Sequence, residues 1–526
     1  MKNIPLLYIK IASAILAFVI LLTSILLILS ACNAGRDLHP YAVYPHDRIL
    51  PDPCAMNIIN PDSELRGLWI ATVQNINFPT RSNLSETALK DEIDEILENA
   101  ASLGFNAIFF QVRPSADALY RSDIFPLSKY VTGEQRFFSE GDFDILEYLL
   151  DRAHHKNIRV HAWVNPLRVT AGSVKHPETD ISALHPDHPA AKDPSLVRAY
   201  ADGKLYFDVG IPRVRELVSD GVREIVQRYD VDGIIFDDYF YPYPEYKELG
   251  EKKIAIEFDD ADTYEKYGGA YDNIGDFRRA SVNDMIKRCY DAVKETDPDC
   301  LFGVAPFGIW QNDNGTNGGS NSSGLSSYSA IYCDPLAWAS GGYVDYIAPQ
   351  LYWRFSTGSA PYGELATWWN AALDGTGVDL YICHGAYNYE TWEDIDLEMT
   401  RQIEHARELL CYKGSLLYGY AAIKNNTNGI VDEAKSFFAP DIIYTDTVSN
   451  GIAFAVTSHE NGSETAKKSI VISGVSDPYY PLSLGTASIS RNKNGDFSVH
   501  LPLKMGKNAF TFKQGDTEYT FNITRK

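Results

Sequence analysis

From about Ser63 to Pro440 the chain alternates short, nearly continuous apolar runs with longer stretches in which apolar residues recur every three or four positions. That alternation predicts βα units around a parallel sheet, an α/β fold. Eight runs read as strands: Gly67–Thr72, Asn106–Arg113, Ile158–Asn165, Asp232–Tyr239, Leu301–Phe307, Val344–Tyr352, Val378–His384 and Ser415–Ala421. Between them, Glu86–Leu103 sets Leu89, Ile93, Ile96, Leu97, Ala100 and Leu103 at helical spacing and meets Gly104 as a C-terminal stop. Arg213–Tyr229, Asp276–Thr296 and Glu393–Leu410 read the same way. Eight repeats over about 375 residues predict a (β/α)8 barrel with long loop insertions, residues 63–440. A doubly wound open sheet is the alternative, but no glycine-rich GxGxxG turn follows the first strand.

Beyond the barrel the period shortens to strict alternation. Ile452–Thr457, Lys468–Val475, Ala487–Ser490, Phe497–Leu501, Asn508–Lys513 and Tyr519–Thr524 are separated by turn signals such as Asn494-Gly495-Asp496. They predict a small β-sandwich at residues 445–526, similar to the immunoglobulin-like accessory modules of exported carbohydrate-active enzymes.

At the other end, Lys2 and Lys10 precede an apolar run from Ile11 to Ile28, the pattern of an export signal. Leu29-Ser30-Ala31-Cys32 follows and resembles a bacterial lipobox, so residues 1–32 read as a lipoprotein signal with Cys32 as the lipid attachment site. An uncleaved membrane anchor is the alternative, since the run approaches the ~18–20 residues that span a bilayer. Either way the body is expected outside the cytoplasm, lipid-anchored to the cell membrane in the first reading. Residues 33–62, with prolines at 40, 45, 51, 53 and 61, read as a tether.

Composition narrows the partners. Of 526 residues, 45% are hydrophobic and 22% charged, enough for a proper core and not for disorder. The net charge of −23, with no basic stripe, argues against nucleic acid. Apart from Cys32, the cysteines at 54, 289, 300, 333, 383 and 411 form no CxxC pair, which leaves zinc-ribbon and thioredoxin-like chemistry without support. No cofactor is expected.

In a barrel of this kind chemistry gathers at the C-terminal ends of the strands. The ends are polar and aromatic: Gln111-Val112-Arg113-Pro114, Trp163-Val164-Asn165-Pro166, Asp237-Asp238-Tyr239, Gln350-Leu351-Tyr352-Trp353 and His384. The sharpest element is the pair Asp237 and Asp238. Strand alternation turns only one of them to the axis, unless the strand has already become loop. Two partly buried neighbouring carboxylates raise each other's pKa, and a carboxylic acid protonated near neutral pH can donate to the leaving oxygen of a glycoside. A calcium or magnesium site, or a simple turn cap, competes with that reading. A usual glycosidase also needs a second carboxylate roughly 5–10 Å away. Only the loop residues Asp334, Glu364 and Glu390 offer themselves. Neighbouring acids on the fourth strand also suit substrate-assisted cleavage, in which the sugar's own 2-acetamido group is the nucleophile. In that scheme Asp237 orients the acetamide and Asp238 protonates the leaving oxygen, or the reverse. Arg113, Asn165, Gln350, Tyr352 and His384 are candidate polar contacts to the sugar, and Trp163, Tyr239, Trp310 and Trp353 candidate stacking faces.

The blocks Glu64-Leu65-Arg66-Gly67-Leu68-Trp69, Gly104 through Pro114, His161 through Pro166, Phe207-Asp208-Val209-Gly210-Ile211-Pro212, Asp232 through Pro242 and Asp345 through Trp353 together resemble the bacterial glycosyl-hydrolase-like family 10, in order. The resemblance implies a (β/α)8 barrel in exported or lipid-anchored proteins, some of which act on peptide-stripped peptidoglycan strands. It implies a polysaccharide or peptidoglycan glycan as partner. Three functions stand at this point: a hydrolase of N-acetylated cell-wall glycan, a glycan-binding surface protein without turnover, and a hydrolase of a non-acetylated plant or host polysaccharide. Two long loops, Lys247–Asp276 and Asn312–Ser329, read either as a roof over the cleft or as disordered segments.

Overall fold

Eight parallel strands close into a barrel in chain order: β1 (Leu65–Ile70), β2 (Ala107–Arg113), β3 (Arg159–Val164), β4 (Gly233–Phe236), β5 (Leu301–Val304), β6 (Tyr346–Ile347), β7 (Asp379–Gly385) and β8 (Tyr412–Tyr418), with β8 returning to β1. The register at the closure sets Leu65 beside Gly414 and Leu68 beside Leu417. The computed structural model describes residues 64–249, 252–392 and 397–438, and in the C-terminal part 454–477, 482–485, 487–489, 496–514 and 517–526. The expected signal segment, Cys32 and the tether lie outside the described residues. Among the described residues no helix is long and apolar enough to cross a membrane.

The strands are largely apolar because both faces are buried. One face points into the barrel, where Leu65, Trp69, Phe109, Trp163, Ile235, Tyr346, Tyr381 and Leu416 form an interior cluster. Trp69 meets Trp163 edge-on at 4.8 Å and Phe109 at 5.2 Å. His161 stacks on Phe109 at 4.5 Å and its Nδ1 lies 2.9 Å from the Tyr346 hydroxyl, so burial holds this imidazole neutral, its pKa pulled down to about 3. The other face packs on the helices, chiefly α1 (Glu86–Ser102), α2 (Ile145–His154), α3 (Pro212–Arg228), α4 (Ile274–Thr296), α5 (Pro335–Gly341), α6 (Tyr362–Leu373) and α7 (Glu398–Arg407). Helix α1 buries Leu89, Ile93, Ile96, Leu97 and Ala100, the face its spacing predicts, and Ser85 caps it by accepting from Ala88 N at 3.2 Å.

Several boundaries differ from the sequence expectation, two of them for a clear reason. Strand β6 keeps only Tyr346 and Ile347 in the ladder, because Pro349 has no N–H to donate; Gln350 rejoins through single bridges to Phe307 and Cys383. Strand β8 starts and ends three residues earlier than Ser415–Ala421. Gly419 takes a left-handed φ of 117°, and a Cβ there would sit 2.6 Å from Tyr387 N, so the chain turns into the short helix Tyr420–Lys424. Helix α7 begins at Glu398; residues 393–396 of the expected Glu393–Leu410 helix lie outside the described residues.

Both long loops are structured. The first carries a hairpin, Tyr246–Leu249 with Lys252–Ala255, and the short helix Ala261–Tyr267. It is tied to α4 by the buried Arg278 and Asp260, 2.5 Å apart. The second holds itself together through Asn312, Asn314 and Asn317, and Trp368 Nε1 donates to Gly318 O at 2.9 Å. The five described cysteines are free thiols, and four of them are buried.

The C-terminal strands are β9 (Ala455–Val456), β10 (Ser463–Thr465), β11 (Ser469–Val475), β12 (Leu482–Leu484), β13 (Ala487–Ser488), β14 (Asp496–Pro502), β15 (Gly506–Gln514) and β16 (Thr517–Arg525). They form a three-stranded sheet, β9-β11-β14, and a five-stranded sheet, β10-β16-β15-β12-β13. Alternate residues of both, including Ile470, Ile472, Phe497, Val499, Phe512 and Phe521, meet in one apolar cluster. Ser463–Thr465 and Leu482–Leu484 are strands that the alternation pattern missed, each being only three residues long.

Candidate active site

The mouth of the barrel at the C-terminal strand ends is built around Asp237 and Asp238. Strand β4 leaves the ladder after Phe236, so strict alternation stops there and both carboxylates reach the same space. Both are almost completely buried. Their partners come from opposite sides. From β3, Trp163 Nε1 donates to Asp237 Oδ2 at 3.3 Å and Asn165 Nδ2 donates to the same oxygen. Asp237 Oδ1 also accepts from Tyr239 N at 3.5 Å. On the other side, the Tyr243 hydroxyl donates to Asp238 Oδ2. The Gln350 amide donates to Ala305 O at 2.9 Å and also hydrogen-bonds Asp238.

Burial pushes the Asp237 carboxyl up to about 6, against the pull of the Arg168 charge and of the Asn165 hydrogen bond. Burial, reinforced by the neighbouring Asp237 charge, pushes Asp238 further, up to about 7. The pair therefore holds a proton near neutral pH, and Asp238 is the better acid donor of the two.

Aromatic rings surround the pair. Tyr239 and Tyr243 meet edge to face at 5.5 Å, and Phe307 lies edge-on to Tyr243 at 6.1 Å and to Trp353 at 5.4 Å. Tyr352 stacks on Tyr418 at 5.8 Å, and Tyr387 meets both edge-on at 5.7 Å. Burial, neighbouring phenols and the nearby carboxylates hold the Tyr352 and Tyr418 hydroxyls protonated. Flat apolar faces with hydroxyls at their rims, beside a carboxylic acid, can stack a sugar ring and bond its edge.

Of the residues singled out from sequence, Asp237, Asp238, Trp163, Asn165, Tyr239, Gln350, Tyr352 and Trp353 gather at this mouth, Trp353 through Phe307. Three do not. The register pairs Gln111 with Trp163 but Arg113 with Val164, so a bulge at Val112 gives Arg113 the outward parity. Its guanidinium is buried behind the barrel wall over the Phe125 ring at 4.5 Å and against Gly221 of α3. His384 faces outward because Tyr381 and Cys383 face inward; its ring bonds Gln402 at 3.1 Å and Ser415 at 2.9 Å, and burial pulls its pKa down to about 4. Trp310 stacks on Trp368 at 5.8 Å and donates to Asp334 at 3.2 Å, where it anchors the second long loop. Asp334 thereby has a structural partner, while Glu364 lies on α6 and Glu390 ends the short turn after β7.

Four residues at or beside the mouth were missed: Arg168, Tyr243, Tyr387 and Tyr418. Tyr418 ends β8 and Tyr243 follows Tyr241-Pro242 in the loop already singled out, so a reading of all eight strand ends finds the first and a longer reading of the fourth loop the second. Arg168 and Tyr387 lie in loops with no local signal. Among the described residues no group of three or more His, Cys, Asp or Glu is arranged to hold a metal ion.

The family model for glycosyl hydrolase-like 10 matches residues 64–398, the barrel up to the start of α7. The chain belongs to the glycosyl hydrolase-like 10 family. Within it, the chain is 39% identical over 378 residues to glycosyl hydrolase YngK of Bacillus subtilis, covering 70% of this chain and 71% of that one. It is 34% identical over 348 residues to glycosyl hydrolase DigH of Escherichia coli K12, covering 64% of this chain and 75% of that one. Among solved structures, the PgaB (BpsB) glycoside hydrolase domain of Bordetella bronchiseptica matches over 72% of this chain and 98% of its own, at 13% identity and a TM-score of 0.44. Of the sequence blocks that carry the resemblance to the family, those holding Gln111, Trp163, Asn165, Asp237 and Gln350 bring side chains to the barrel mouth.

Proposed function

We propose that the protein hydrolyses glycosidic bonds in a glycan of N-acetylated sugars, of the peptidoglycan cell-wall type, with Asp238 as general acid and Asp237 as the group that orients the substrate's acetamide. The observation that carries this reading is the buried pair itself, in which one carboxyl stays protonated beside a neighbour that is easier to ionise. Asp238 gives its proton to the leaving oxygen as the glycosidic C–O bond breaks and the acetamido oxygen bonds the anomeric carbon; water then bonds that carbon as the acetamido oxygen departs, and its proton goes to Asp238. Asp237, as an anion, accepts from the acetamido N–H and holds its carbonyl toward the anomeric carbon. The tyrosines and Trp353 stack the sugar rings. The glycosyl hydrolase names of YngK and DigH support the reaction class. The amino-terminal pattern supports a body held outside the cytoplasm by a lipid on Cys32.

The test is mass-spectrometric product analysis after the protein is incubated with peptide-stripped peptidoglycan strands, with chitin oligosaccharides and with a non-acetylated polysaccharide such as a β-mannan, beside Asp238→Asn. N-acetylated fragments from the wild type alone are expected. Retained glycan binding with no products from either protein overturns the hydrolase reading in favour of a glycan-binding protein. Products only from a non-acetylated polysaccharide overturn the acetamide scheme.

A further inference from the structure

Asn165 is the hinge of a small polar relay at the mouth. Thr72 N and Val73 N both donate to Gln111 Oε1, at 2.8 and 2.9 Å, which fixes the Gln111 amide with its NH2 outward. That NH2 donates to Asn165 Oδ1 at 2.6 Å. Arg168 Nη2 donates to the same oxygen at 3.0 Å, while Arg168 Nε and Nη2 clasp Pro114 O at 2.9 and 2.6 Å. With its oxygen saturated by two donors, Asn165 has only its NH2 left to present, and that group meets Asp237. The Arg168 guanidinium also lies over the Tyr239 ring at 5.3 Å.

A further buried carboxylate, Asp117, also feels the Arg168 charge. Asp117 is 2% exposed, is bonded by Ser128 and by the Ser115 backbone, and has one oxygen without a hydrogen-bond partner. The charges that act on it are those of Lys129 and Arg168. Asp237 faces Arg168, Asp238, Asn165, Trp163, Tyr239, Tyr243 and Tyr418. The charge that Asp238 faces is that of Asp237; its other neighbours are Tyr243, Gln350, Tyr239, Tyr352, Cys333 and Cys383.

We propose that Arg168 is a positioning residue that, by holding the Asn165 amide toward Asp237, keeps Asp237 anionic and so leaves the proton of the pair on Asp238. Arg168 acts twice: its hydrogen bond fixes the Asn165 amide toward Asp237, and its charge stabilises the Asp237 anion directly. An ionised Asp117 adds a field of the opposite sign. The kinetic consequence rests on the glycosidase reading above, but the electrostatic arrangement does not.

Removing Arg168 and removing the Asp117 carboxylate, which also acts on Arg168, therefore predict shifts of opposite sign at Asp237. Arg168→Gln raises the pH at which Asp237 ionises by roughly one unit or more, the usual effect of losing an adjacent opposite charge. Asp117→Asn lowers it by a smaller amount, and Arg168→Lys leaves it near the wild-type value. The measurement is carboxyl titration by NMR of full-length protein labelled at its aspartates, with Asp237→Asn used to assign the signal. It is run beside the pH dependence of kcat/KM on whichever glycan is cleaved, whose acid limb moves with the titration. An unmoved Asp237 titration in Arg168→Gln, or shifts of the same sign in Arg168→Gln and Asp117→Asn, overturns the proposal. If Arg168→Gln does not fold, a downward shift in Asp117→Asn with an unmoved Arg168→Lys supports it, and any other combination of the two refutes it. If no glycan is cleaved, the hydrolase reading fails while the titration still decides the role of Arg168.

Discussion

Replacing Asp238 with asparagine is expected to stabilise the protein at alkaline pH and to leave its stability unchanged in acid. Asp238 is buried, and burial together with the Asp237 charge moves its carboxyl from an ordinary 3.8 up to about 7. Between those values the unfolded chain has released a proton that the folded chain still holds, so stability falls as pH rises through the window and the full penalty persists above about 7. At about 1.36 kcal/mol per pH unit, that window is worth about 4 kcal/mol. Asparagine carries no charge, fills nearly the same volume and keeps an oxygen that can accept from Tyr243. The gain of Asp238→Asn over wild type is then close to zero at pH 4 and grows to about 4 kcal/mol at pH 8, equivalent to roughly 4–8 °C in Tm. Part of that gain comes through Asp237, whose own ionisation becomes easier once its neighbour is neutral. Thermal unfolding of both proteins at pH 4, 6 and 8 and constant ionic strength reads it directly. A variant that is less stable than wild type at pH 8, or whose advantage is the same at all three pH values, refutes the assignment of the raised carboxyl to this position.

Two further outcomes follow from the same geometry. Tyr243→Phe removes the hydroxyl that favours the Asp238 anion, so Asp238 keeps its proton to higher pH and the basic limb of kcat/KM moves up; a limb that moves down or stays in place contradicts the hydrogen bond. Arg113→Met replaces a buried guanidinium, which has the Tyr120 hydroxyl as its neighbour and which burial already pulls toward the neutral form, with an apolar chain of similar length. Its unfolding free energy is expected to fall by no more than about 1 kcal/mol, or to rise, and glycan binding to be unchanged; weakened binding in a folded variant shows that Arg113 reaches the cleft after all.

The barrel was open to sequence reading because both faces of its strands are buried. Contiguous apolar runs such as Ala107–Arg113 mark position even where strand ends drift by a few residues. Which side a polar strand-end residue takes is a finer question, and simple counting answers it only on an unbroken strand. Counting by two from Phe109 through Gln111 brings Arg113 inward, but the bulge at Val112 reverses it. His384 needed only the knowledge that Tyr381 and Cys383 face the interior, which the run Val378–His384, apolar at most positions, does not reveal. Arg168 acts from a loop and Tyr387 from a short turn after β7, where no period exists and only the closed tertiary arrangement brings them to the mouth.

The adjacency of Asp237 and Asp238, read as a sign of catalysis from the sequence, acquires its meaning from what stands on either side. Two identical side chains one residue apart differ because β4 ends between a neighbour that supplies N–H donors and a loop that supplies a phenol. Asp237 turns toward β3, where Trp163 and Asn165 donate to it and Arg168 lends a positive charge. Asp238 turns toward Tyr243 and Gln350, and the charge beside it is negative. A longer β4 would keep strict alternation and send one carboxylate into the helix layer. A strand that leaves its ladder at Phe236 places both in the mouth, and the asymmetry of their partners then separates an anion from an acid.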